Sequence, residues 1–147
     1  MSISHLIFIY NFIEAERKMK LTKYLSFLVS IVVLSAWTYQ LNRPSIFRGG
    51  TATNMSEEFA AYGLNDTLMM IVGAFKISLA LLLLIGGIKF PKLIKPAAVG
   101  MALFMIGAIY FHISIGDGMV PTLPSALMLL SCLILVFYPK PTGAKQS

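Results

Sequence analysis

The sequence predicts an all-α polytopic membrane protein, a four-helix transmembrane bundle, on three observations: composition, the grouping of apolar residues, and the placement of basic ones. The 147 residues are 57% hydrophobic and only 12% charged, whereas charged residues make up about a quarter of an ordinary soluble domain. The apolar residues gather into four runs, at about 24–42, 67–88, 97–116 and 121–138, whose single formal charge is Lys76. Each run has the length of about 20 residues that a helix needs to cross a hydrocarbon core about 30 Å thick. The basic residues flank these runs. They form no stripe with interleaved aromatics, so the net charge of +6 reflects membrane topology and no nucleic acid partner is expected.

Residues 1–18 form an N-terminal lead whose apolar stretch, Leu6 to Ile13, is too short to cross. The lead is either an interfacial segment or the product of a start assigned upstream, because Met19-Lys20-Leu21-Thr22-Lys23 has the look of a natural beginning. The transmembrane domain is expected over 19–139, followed by a cytoplasmic tail over 140–147. A cleaved signal peptide is the alternative reading of the first span. The bulky residues around Leu34-Ser35-Ala36 make poor cleavage chemistry, so a retained helix is favoured, with Trp37 and Tyr39 as interfacial anchors.

The loop from Arg43 to Asp66 contains Pro44, Gly49, Gly50 and Gly63, and Ser56 to Tyr62 reads as a short helix lying on the membrane, capped near Thr53 or Asn54 and ended by Gly63. In the second span Gly73, Lys76, Ala80 and Gly87 recur near one helical face, and in the third Gly100, Phe104, Ala108 and His112 form one i, i+4 row. Small residues let helices approach where lipid offers no hydrophobic gain, so Gly73, Ala80, Gly87, Gly100, Gly107 and Ala108 are expected at helix contacts. Pro121 and Pro124 open the fourth span, where the first turn tolerates proline. Cys132 is the only cysteine, which excludes an intrachain disulfide.

Loop charges set the orientation. Arg17, Lys18, Lys20, Lys23, Lys89, Lys92, Lys95, Lys140 and Lys145 fall on one side, against Arg43 and Arg48 on the other. By the positive-inside rule both termini are cytoplasmic, in a multi-pass protein expected in the inner membrane.

Lys76 is the most informative residue, since a bare ammonium in hydrocarbon is costly and must snorkel, pair or face the bundle interior. It lies nine residues in from Thr67, about 13 Å at the helical rise. His112 lies about four residues from the outer end of the third span, so both groups sit in the outer half, and Asp117 closes the same helix. Together they suggest a polar pocket opening outward, formed by Lys76, His112 and Asp117, with Gln40 and Tyr39 contributed by the first span. The plainer alternatives are a snorkelling lysine and a histidine that merely hydrogen-bonds within its packing. Phe75, Phe104, Tyr110 and Phe111 are the aromatics able to border a flat ligand such as a quinone. No metal site is expected, because one histidine and one nearby aspartate fall short of a ligand set. Nucleotide, serine-elbow and paired-histidine signatures are absent from the sequence. Ser78 and Ser131 read as hydroxyls bonding their own helix backbone.

The run Phe59-Ala60-Ala61-Tyr62-Gly63-Leu64, then Val72-Gly73-Ala74-Phe75-Lys76 with Ala80 and Leu81, resembles the DoxX-like family of four-span membrane proteins. Gly100, Gly107-Ala108, His112, Gly116-Asp117 and Pro121 strengthen the resemblance, which covers about Tyr24 to Tyr138. Many relatives carry an acidic residue three before the glycine-alanine pair, where this chain has Phe104. An ion pair with Lys76 from that position is therefore missing. The resemblance implies a four-span fold, an association of some relatives with membrane redox complexes, and little about activity, since fold does not carry function with it.

Three functions remain in view: a non-catalytic partner or assembly subunit of a membrane complex, a redox-associated subunit binding a quinone or lipid, and a small transporter or lipid-handling protein. The expected partners are the lipid bilayer and either another membrane protein or a second copy of the chain.

Overall fold

The structure is a computed structural model that describes residues 2–138, so the tail with Lys140 and Lys145 lies outside the described residues. The elements in chain order are α1 (Ile3–Trp37), α2 (Met55–Ala61), α3 (Asp66–Ile88), a 3₁₀ turn (Pro91–Leu93), α4 (Ile94–Ser114) and α5 (Met119–Phe137). Among the described residues there is no strand, and α1, α3, α4 and α5 are long and apolar enough to cross a membrane. The protein is a multi-pass membrane protein. The long helices form a ring in which α1 packs on α3, α3 on α4, α4 on α5, and α5 back on α1.

Because successive helices are antiparallel, the bundle has a loop end, where residues 38–65 and 115–118 lie, and a basic end, where Lys89, Lys92 and Lys95 lie. The basic half is closely packed. Val29, Ala80, Leu83, Ala98, Met101 and Cys132 are fully buried. Small residues make this possible: the backbone at Gly87 is so near Phe27 that a Cβ there would sit 3.1 Å from its ring, and a Cβ at Gly100 would sit 3.0 Å from Leu79. Ser30 adds a polar link, its hydroxyl donating to the Ala80 carbonyl at 2.8 Å across the α1–α3 contact. Ser78 and Ser131 donate to carbonyls four residues back in their own helices.

Three elements differ from the sequence expectation. The helix expected over 24–42 ends at Trp37. The Arg48 guanidinium reaches the carbonyls of Gln40, Leu41 and Arg43, and the chain turns about that cation instead of continuing its helical ladder. At the other end α1 begins at Ile3 and runs through the lead without a break. No glycine or proline interrupts it, and Glu14 pairs with Arg17 at 3.0 Å and Lys18 at 3.6 Å along the helix surface. Thirty-five residues make a rod about 52 Å long, so its first turns extend beyond the bundle, where Phe8, Tyr10 and Phe12 are exposed.

The third difference concerns α2. Asn54 caps it, accepting from the Glu57 amide at 2.9 Å, and Gly63 ends it at φ +75°, a left-handed conformation that glycine adopts without steric cost. The expected helix is present, but one of its faces is packed into the fold. Met55, Glu58 and Phe59, spaced i, i+3, i+4, are buried against the ends of the long helices. Phe59 meets Trp37 edge to face at 5.9 Å.

Candidate functional site

The ring of helices does not close at the loop end. Between them lies a cavity of about 670 Å³, within the range of about 300–1,000 Å³ that holds small ligands. The helix walls are mostly apolar and aromatic, including Trp37, Val72, Phe104 and Phe111. Its roof is the loop, through Arg48, Met55, Glu58 and Phe59, all less than a tenth exposed. Ile31 and Leu103 also border it and remain 63% and 65% exposed on the outer surface of the bundle. The space is thus covered toward the loop side and communicates with the face that lipid chains would cover.

The roof is held by a chain of buried polar groups. Arg48 donates through Nη1 to Glu58 Oε2 at 2.8 Å. The other oxygen, Glu58 Oε1, accepts from the Gly49 amide at 2.9 Å and from the Tyr62 hydroxyl at 3.0 Å. Tyr62 has one proton, committed to Glu58, and its oxygen lies 3.2 Å from His112 Nδ1. The same Nδ1–H points at Asp117 Oδ2, at 2.6 Å, and Asp117 Oδ1 accepts from the Gly50 amide at 2.8 Å. The loop after α1, the end of α2 and the end of α4 are therefore tied in one circuit.

Burial, reinforced by the neighbouring Glu58 carboxylate, pushes the Tyr62 hydroxyl well above the usual phenol range. It stays a donor at any ordinary pH. On the exposed side of α2, the backbone N–H of Thr53, then its hydroxyl, holds the Glu57 carboxyl below its ordinary value.

Glycine at 49 is demanded by this circuit. A Cβ there would lie 2.5 Å from the Tyr62 hydroxyl and 2.8 Å from Asp117 Oδ2, and neither group can retreat without breaking its hydrogen bond. Gly73 has a similar role one layer down. A Cβ there would lie 2.5 Å from the Trp37 ring, so the indole abuts the α3 backbone.

Lys76 emerges from α3 one turn below that contact and faces the cavity, its Nζ 5.6 Å from the Trp37 ring centroid, within cation–π range. Among the described residues no carboxylate lies within ion-pair distance of it. Of the other residues singled out in the sequence, His112 and Gln40 border the cavity, and Asp117 stands behind His112. Tyr39 does not reach it: the ring is 65% exposed and lies under the Arg43 guanidinium at 4.2 Å. Phe104 and Phe111 are on the wall, whereas Phe75 and Tyr110 point outward. Among the small residues, Gly107 is distinct from Gly73, Gly87 and Gly100. It borders the cavity with Ala108, and a Cβ at Gly107 would have no neighbour within 4 Å.

Arg48, Glu58 and Tyr62 are not singled out as site residues by sequence reasoning, which uses Arg48 as a loop charge and Glu58 and Tyr62 as part of the short helix. A signal existed. Met55, Glu58, Phe59 and Tyr62 follow helical spacing, which puts Glu58 on the apolar face of α2, where a carboxylate needs a buried cation.

The sequence profile of the DoxX-like family matches residues 25–135, which is all four spans and the loop that roofs the cavity. No curated protein and no solved structure matches the chain.

Proposed function

This chain belongs to the DoxX-like family, and from that premise we propose that it is a membrane-embedded binding protein for an amphiphile of the quinone or lipid class, held in the cavity of the loop half. The observation that carries the reading is the form of the cavity: apolar helix walls reachable from the lipid face, a covered roof, and a lysine ammonium directed inward. A head group would rest among Lys76, His112 and Gln40, and its tail would follow Phe104 and Leu103 toward the bilayer. The charge asymmetry of the loops supports a reading with the termini in the cytoplasm and the covered cavity on the opposite side of the inner membrane.

Native mass spectrometry of gently extracted protein tests this. A bound amphiphile should appear on the wild-type protein and be lost from Gly107→Phe, whose ring fills the cavity at a position with no steric obstruction. Wild-type protein that carries no such species and binds neither quinone nor lipid on addition would overturn it. Small size also suits a partner or assembly subunit of a larger membrane complex. The same preparation distinguishes that reading by whether a second protein copurifies in stoichiometric amount.

A further inference from the structure

The cavity has an uncompensated charge, and that charge narrows the chemistry of what it holds. Three formally charged side chains border it: Arg48, Glu58 and Lys76. Arg48 and Glu58 neutralise each other at 2.8 Å. Asp117 is turned away from the wall, occupied by His112 and the Gly50 amide. Glu58, whose oxygens serve Arg48, Gly49 and Tyr62, makes no ion pair with Lys76 within 4 Å. Among the described residues the Lys76 ammonium lies over the face of Trp37 and has no carboxylate within ion-pair distance. A cation within the hydrocarbon zone without a partner is costly, and an anion delivered by a ligand removes that cost.

We infer that the occupant is an anionic amphiphile, a single-chain molecule ending in a carboxylate such as a fatty acid, whose head pairs with Lys76 while its chain lies along Phe104 and Leu103. The inference rests on the binding function proposed above and adds the charge of the head. A carboxylate can also accept hydrogen bonds from the Gln40 amide on the same wall. A neutral quinone offers carbonyl acceptors but leaves the charge uncompensated. The chain end need not be enclosed, because Ile31 and Leu103 mark where the cavity meets the lipid face.

The protein carries its own reporter, since its single tryptophan lies on the cavity wall beside Lys76. The experiment is energy transfer from Trp37 to cis-parinaric acid and, separately, to its methyl ester, using the full-length protein in neutral nanodiscs at pH 7. The acid should bind at least tenfold more tightly than the ester. Lys76→Met should bring the two within twofold by weakening the acid, and Lys76→Arg should retain the preference for the acid. Ester binding by Lys76→Met also reports that the variant has folded. Equal binding of acid and ester by the wild-type protein, or an acid preference that survives Lys76→Met, would overturn the inference while leaving the cavity a ligand site. If acid, ester and a short-chain quinone used as competitor all fail to bind, the binding function itself falls, and the inference with it.

Discussion

The two halves of the bundle are made from the same four helices and solve opposite problems. In the basic half, serine, alanine and glycine let the helices close on one another, and Ser26, Val29, Ala80, Leu83, Ala98 and Cys132 have almost no exposure. In the loop half the same helices stand apart around about 670 Å³ of space, and polar groups of the roof replace apolar packing as the link between elements. In a bilayer, packing and hydrogen bonds carry helix association because lipid chains are as apolar as the core. A half that gives up packing must therefore be held by hydrogen bonds and ion pairs. The contrast teaches that the closely packed end is what allows the other end to remain open.

Several substitutions sharpen or break this contrast. The largest expected effect is at the roof. Arg48→Met leaves Glu58 buried without its cation, a loss of about 3–5 kcal/mol, and hydrogen exchange over residues 45–62 should accelerate while the α1–α3 contact at Ser30 stays protected. Uniform loss of protection in both halves would mean that they are not separable. Gly49→Ala comes next, at about 1–3 kcal/mol of overpacking, read as a lower unfolding midpoint. Removing the anionic end of the circuit with Asp117→Asn should cost about 1–2 kcal/mol, because it weakens its contacts with His112 and the Gly50 amide. In the basic half Ser30→Ala removes one interhelical hydrogen bond, worth about 0.6 kcal/mol in a membrane, and should leave ligand binding at the loop end unchanged.

The smallest effect belongs to Glu57, which is fully exposed. Its folded pKa lies below the ordinary value of 4.5 because Thr53 donates to the carboxylate. The contribution of Glu57 to α2 is therefore complete above about 4.5 and disappears as pH falls through the lower folded value. Glu57→Gln should abolish that part of the acid dependence of the roof, followed by hydrogen exchange of α2.

The basic half was the more legible of the two from sequence. Apolar length gave the spans, and the small residues Ala80 and Gly87 named the contact face of α3 in this half. The loop half was legible only in its deepest residues. Lys76 and His112 stand out because an ionisable group within a span needs a reason, whereas Arg48 and Glu58 sit in a segment where charges are commonplace. Their pairing spans ten residues and depends on a turn at Gln40 to Arg43 that the guanidinium itself organises. Local spacing carries no trace of such a turn. Tyr39 was misplaced for the same reason, since extending α1 past Trp37 aims it inward, while the turn carries it out to Arg43.

The most direct test of the account is a pair of unfolding midpoints, for Gly107→Phe in the loop half and Ala98→Phe in the basic half. Gly107 borders the cavity and offers an open site, whereas Ala98 is fully buried. The account predicts that Gly107→Phe stays within about 2 °C of the wild-type protein and that Ala98→Phe falls by about 5 °C or more, as overpacking by more than 1–3 kcal/mol requires. Equal losses at the two positions would contradict the division of the bundle into an open half and a closed one.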